Sequence, residues 1–173
     1  LDQLRRGEIS DLQAANEDQA IGLIHRYMIA ARDGAAHRNL VLLAQALVGL
    51  ARRDQLFVDR FAPFAEILSR LTRDQILVAG RYQALYVDEL QQAAAPGEDQ
   101  SKALANAWRR LTNELVPSQF STEENLIVVC SQLGAAGLVL ALSGYGGLVY
   151  QPSPLLTELA ELTDLQDAMR EDR

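Results

Sequence analysis

At 173 residues, 49% hydrophobic and 23% charged, the chain has the size and composition of one soluble globular domain, or one domain with a small appendage. It is long enough to bury well over half of its unfolded surface, and its single cysteine, Cys130, excludes an internal disulfide. The formal charge of −7 falls wholly after residue 110, where Glu114, Glu123, Glu124, Glu158, Glu161, Asp164, Asp167, Glu171 and Asp172 meet only Arg170 and Arg173; such a surface repels phosphate backbones and anionic headgroups.

Lys102 is the only lysine among the cations. The arginine bias and the abundant alanine are the mark of a GC-rich bacterial genome. The chain begins at Leu1 rather than at a methionine, as expected of a piece of a longer protein. Arg5-Arg6 lead into Gly7-Glu8-Ile9-Ser10-Asp11 and not into an apolar stretch, so no secretory signal is expected. A lone cysteine inside the apolar run Leu126-Ile127-Val128-Val129 fits a buried thiol in a reducing cytoplasm.

Leu1 to Ala15 reads as a frayed lead-in broken by Gly7. Asn16 can cap a first helix, with Glu17 and Asp18 in its first turn. Its apolar positions are Ile21, Ile24, Met28 and Ala31, and Asp33-Gly34 ends it. The next helix, Ala35 to Arg53, is the most apolar. From Leu40 to Ala51 only Gln45 is polar, apart from Gly49. A glycine there costs about 1 kcal/mol relative to alanine, which predicts close approach of a neighbouring helix. Gln45, one turn earlier, needs a partner for its amide.

A short helix near Val58 to Leu71 carries Phe57, Phe61, Phe64 and Leu68 on one face, with Pro63 in its first turns. Thr72-Arg73-Asp74-Gln75 spells a capping box. It predicts a tight hairpin between this helix and the next, which runs to about Gln92. Ala93 to Gln100, with Pro96-Gly97, is the internal linker. Ser101 then caps a helix with the stripe Leu104, Trp108, Leu111 and Leu115, stopped by Pro117. Ser121-Thr122-Glu123-Glu124 spells a second capping box and opens a helix to about Leu133.

From Asn125 to Thr157 no residue is charged. Leu138 to Leu142 and Leu148 to Tyr150 read as two short strands around Gly144-Tyr145-Gly146-Gly147, a small β-hairpin. Leu138 to Leu142 is expected to be covered, with the last helix, Leu155 to about Met169, as its nearest cover. Ser153 caps that helix and Pro154 opens it. A membrane helix over Leu126 to Leu142 is the alternative, but Gly134 and Gly137 interrupt it and its flanks are acidic.

The expected fold is therefore mostly α, a six- to seven-helix bundle with a small C-terminal β-hairpin and a winged-helix-like ending. The division follows the linker: residues 1–95 form an N-terminal helical bundle. Residues 101–173 hold the C-terminal helices and hairpin, as one globular unit with it or a small second subdomain.

Chemistry is sparse. His25 and His37 each stand alone on a helix, where a zinc site needs three or four converging ligands. The acidic pairs Glu17-Asp18 and Glu123-Glu124 start helices, and adjacent helical residues point about 100° apart. No phosphate-binding or nucleophile motif is present. No catalytic residue, metal or cofactor is expected. Tyr145 and Tyr150 bracket the glycine turn and are the candidate partner contacts; the competing expectation is that both rings pack on their own hairpin.

Two stretches resemble a known family. Phe61 to Gln75, with Phe64, Ile67, Leu68, Leu71, Thr72 and Gln75 in register, is similar to the F-x-x-I-L-x-x-L-S-x-x-E signature of the Abi-alpha (abortive infection alpha) family. Thr72 stands for Ser and Gln75 for Glu. Leu133 to Val139, Tyr150 and Leu156-Thr157-Glu158-Leu159 are similar to that family's ending, with Ala160 at its usual glycine and Pro152 and Pro154 added. The resemblance covers roughly a third of the chain. It implies a helical bacterial protein tied to phage exclusion and carries over no catalytic residue.

The expected function is a non-enzymatic, cytoplasmic protein-interaction or structural domain, with a protein partner or self-association. No membrane span is expected. Residues 111–169 hold no cation, so nucleic acid is not expected as their partner. The alternative is a nucleic-acid-associated regulator working through the Arg-bearing helices of residues 1–110.

Overall fold

The computed structural model describes residues 17–32, 37–53, 55, 57–92, 98–144 and 147–165. Among these are seven helices and one hairpin: α1 (Glu17–Arg32), α2 (His37–Arg52), α3 (Val58–Arg70), α4 (Arg73–Gln92), α5 (Glu98–Leu115), α6 (Glu123–Ala135), β1 (Val139–Gly144), β2 (Gly147–Pro152) and α7 (Pro154–Leu162). The mostly helical architecture with a C-terminal hairpin is as the sequence indicates. No helix among the described residues is long and apolar enough to cross a membrane.

The chain divides into two units, Leu1–Leu71 with Glu161–Arg173, and Thr72–Ala160. The division expected from the sequence falls at the Pro96-Gly97 linker, outside the described residues. That linker joins α4 to α5, and those two helices are bound along their length. As α4 is read forward, α5 is read backward. Arg81 makes a two-pronged ion pair with Glu114 at 2.5 and 2.8 Å. Further along, Arg110 reaches Asp88 at 2.5 Å and Glu89 at 2.8 Å, and Gln100 reaches the Tyr86 hydroxyl at 3.1 Å. Thr72 stands where the two units divide.

In the first unit, Leu42, Leu43, Ala46 and Leu50 are buried on α2 at the three- and four-residue spacing of one helix face. Phe61, Phe64, Ala65 and Leu68 do the same on α3. One polar residue shares the α2 face. Asn39 is 1% exposed, and its Nδ2 donates to the carbonyls of Leu68 at 2.6 Å and Leu71 at 2.8 Å. The carbonyls ending a helix lack intrahelical donors, and Asn39 supplies them for α3. On α1 two positions of the expected stripe are not core: Ile24 and Met28 are each 61% exposed.

Residues 161–165 lie on α2 at three points. A Cβ at Gly49 would stand 2.9 Å from Leu162 Cδ2 and 3.0 Å from the Leu162 carbonyl oxygen. Gln45 accepts from the Asp164 amide at 2.9 Å. Arg53 reaches the Glu161 carboxylate at 3.1 Å. The glycine therefore serves a close approach, and the amide one turn before it has its partner.

In the second unit the Thr72–Gln75 capping box is formed. The Thr72 amide donates to Gln75 Oε1 at 2.8 Å and the Gln75 amide to Thr72 Oγ1 at 3.3 Å. The second box is not. Thr122 is the N-cap of α6 but makes no side-chain bond to the helix amides. The Glu124 carboxylate is held below its ordinary range by its own backbone amide first and by the Thr122 hydroxyl second. Ser101 is not a cap either, because α5 begins at Glu98. The caps expected at Asn16 and Asp33-Gly34 lie outside the described residues.

Two outcomes follow. Gly49→Ala should lower the melting temperature by an amount equivalent to about 1–3 kcal/mol, although alanine is the better helix former; thermal unfolding checks the sign. The Arg81 guanidinium beside Glu114 holds its carboxyl below the usual carboxylate range. A group depressed on folding contributes stability above its unfolded pKa, about 4, and loses it as pH falls through the lower folded value. Glu114→Gln should therefore flatten the acid limb of a stability–pH profile below about pH 4. With the pair 37% and 36% exposed, the change at neutral pH stays below about 1 kcal/mol.

Candidate protein-interaction surface

The hairpin is held at its base by local chemistry. After α6, Gly137 takes a left-handed φ of 75°. Its amide donates to the Gly134 carbonyl at 2.9 Å and the Leu138 amide to the Leu133 carbonyl at 2.9 Å. This pair of bonds is the Schellman ending of a helix, with the accompanying apolar contact supplied by Leu133 and Leu138, both fully buried. Ser153 fastens the other end. Its amide donates to the Leu138 carbonyl at 3.0 Å, its hydroxyl donates to the Gly137 carbonyl at 2.7 Å, and its Oγ accepts from the Leu156 amide at 3.2 Å. Ser153 is thus the cap of α7, as expected, and also the clasp of the hairpin.

Side chains alternate across the two faces. With Leu140 opposite Gln151, Ala141 opposite Tyr150 and Leu142 opposite Val149, one face carries Val139, Ala141, Tyr150 and Pro152. The other carries Leu140, Leu142, Val149 and Gln151. The first face rests on an aromatic group. Trp108 of α5 lies edge-on to Tyr82 of α4 with centroids 5.9 Å apart and tilted against Tyr150 at 5.8 Å. The Tyr82 hydroxyl donates to the Tyr150 carbonyl, and the Tyr150 hydroxyl pairs with Ser131 of α6 at 2.7 Å. Burial raises the Tyr82 phenol pKa, so the proton stays on the donor.

Of the two candidate contacts, the described residues include Tyr150. Tyr150 is 2% exposed; its ring packs inward on Trp108 and offers no surface. Tyr145 lies outside the described residues. Within the described part of β1 the exposed large apolar groups are Leu140 at 46% and Leu142 at 42%, on the face opposite Tyr150. Leu138 and Val139 are covered as expected, but the outer half of β1 is not. The run Leu138 to Leu142 is apolar on both faces, so no alternation in the sequence marks which face turns outward. Its lack of charge is the available signal.

Elsewhere the chemistry stays sparse. His25 and His37 are exposed. Among the described residues no group of three or more His, Cys, Asp or Glu could hold a metal ion. Cys130 is fully buried, and burial pushes its thiol up to about 12, which keeps it protonated and unreactive at neutral pH.

Tyr82→Phe removes the donor to the Tyr150 carbonyl and leaves a buried acceptor unsatisfied. A loss of about 1–2 kcal/mol is expected, read by denaturant unfolding. Tyr150→Phe should cost less, because Ser131 at the other end is exposed and can turn to water.

No family model, curated protein or solved structure matches this chain.

Proposed function

We propose that this chain is a non-catalytic interaction module and that the outer face of its hairpin meets a protein partner. Leu140 and Leu142 support this reading most directly, since each keeps over two-fifths of its surface in water on one face of β1. Burying such a side chain fully is worth about 1.5–3 kcal/mol, so a partner covering both gains a useful share of that. An isolated two-stranded hairpin is marginal in water, and a partner would also stiffen it. The surrounding run, residues 125–157, carries no charge. A neutral, apolar protein surface suits it, whereas nucleic acid would find no cation there. The resemblance to the Abi-alpha family would set the contact in phage exclusion. A nucleic-acid regulator working through the arginines draws less support, because Arg53, Arg70, Arg81 and Arg110 each lie against a carboxylate.

A photo-reactive phenylalanine analogue placed at Leu142 tests the reading in cells. The expected result is a covalent adduct to one defined protein, reproduced with purified components and suppressed by Leu140→Ser. Absence of any protein adduct at residue 142, together with salt-sensitive DNA retention by the purified chain, would reverse the choice in favour of the regulator.

A further inference from the structure

The two edges of the hairpin differ. Hydrogen-bonded and non-hydrogen-bonded pairs alternate along an antiparallel ladder. The Ser153 amide bonds the Leu138 carbonyl, so Leu140 and Leu142 turn their backbone groups toward β2, while Ala141 and Ser143 turn theirs away. On β2 the outward residues include Tyr150 and Pro152. The Tyr82 hydroxyl occupies the Tyr150 carbonyl, and Pro152 has no N–H to offer. Over Tyr150 and Pro152 that edge is blocked, and Leu148 is the one further outward residue of β2. On β1, the Val139 carbonyl lies 3.7 Å from where a Cβ on Gly134 would stand, so α6 flanks that end. Ala141 and Ser143 remain, both exposed, with no backbone partner for their outward groups among the described residues. The strand reads Val-Leu-Ala-Leu-Ser-Gly. It has none of the lysines, prolines or inward charges that normally blunt a free edge.

We infer that this edge pairs with the same edge of a second copy of the chain, antiparallel about a two-fold axis at Leu142. The inference rests on the hairpin being the interaction surface and names its partner. In this register Ala141 exchanges N–H···O bonds with Ser143 of the second copy, and Leu142 faces its own counterpart. The product is a four-stranded sheet, past the size at which a sheet is stable only marginally. Its outer strands are the two β2 strands, whose edges are blocked at Tyr150 and Pro152, which disfavours addition of a third copy. Leu140 and Leu142 from both chains join into one apolar face. Charge points to the same place: each copy carries −7, and the uncharged run lets two copies approach without direct like-charge repulsion.

Sedimentation equilibrium of the full chain should show a reversible monomer–dimer equilibrium. Ala141→Pro removes the N–H that faces the second copy and spares the bonds to β2. It should weaken association about tenfold to a hundredfold, since one hydrogen bond is lost on each side of the two-fold. Circular dichroism and melting curves establish that the variant stays folded, and Ser143→Pro gives the same test nearer the turn. Independently, Leu142→Cys should join two copies under mild oxidation, because facing residues of a non-hydrogen-bonded pair stand about 4.5 Å apart at Cα, within disulfide reach. Leu140→Cys should not, as it faces Gly144 of the second copy, and the native Cys130 is buried. A chain that remains monomeric, or a dimer untouched by both proline variants and unlinked through residue 142, overturns the self-pairing. If the photo-reactive group at 142 then captures a different protein, the interaction-module reading survives; if it captures none, both fall.

Discussion

The Tyr82 hydroxyl on the Tyr150 carbonyl decides what the hairpin can do. A carbonyl at the outer edge of a strand is an invitation to another strand, and here a helix answers it from within the same unit. The bond also fixes which face of β2 lies on Trp108, and through the strand register it fixes which leucines of β1 turn outward. Because side chains alternate with period two, a slip of one residue would carry Tyr150 into water and Leu140 or Leu142 inward. One hydroxyl therefore holds register, edge and exposed face together.

Much of the fold is legible in local residue chemistry. Gly49 stands in an apolar helix where alanine would be the better choice, and its reason is the Leu162 backbone and side chain against it. Gln45 is isolated among apolar residues and finds the Asp164 amide. Thr72 and Gln75 spell a reciprocal cap and make it. Each of these signals concerns a few residues and a bond or clash that is nearly obligatory. Asn39 is equally legible in principle. It sits three and four residues before Leu42 and Leu43 on the buried face, and a polar group there must find partners.

What fails to show in the sequence depends on long-range pairing. The Pro96-Gly97 breaker says nothing about whether the flanking helices pack, and the Arg81 and Arg110 ion pairs join them. The stripe on α1 has helical spacing, yet Ile24 and Met28 face water, since periodicity marks a face without supplying a neighbour for it. At the candidate surface, a run apolar on both sides conceals the exposed leucines, and aromatic rings near a glycine turn draw attention to Tyr150, which is interior.

The seat of residues 161–165 on α2 bears on the order of events at the ribosome. The first unit draws its residues from both sides of the second in the chain. A nascent chain presents α2 early, with Gly49 uncovered and the Gln45 oxygen unbonded by protein, and their partners arrive more than a hundred residues later. The second unit, continuous from Thr72 to Ala160, has by then been synthesised in full. Translation thus delivers a finished insert before its host, and the apolar flank of α2 waits through that interval as the segment most in need of protection from misassociation.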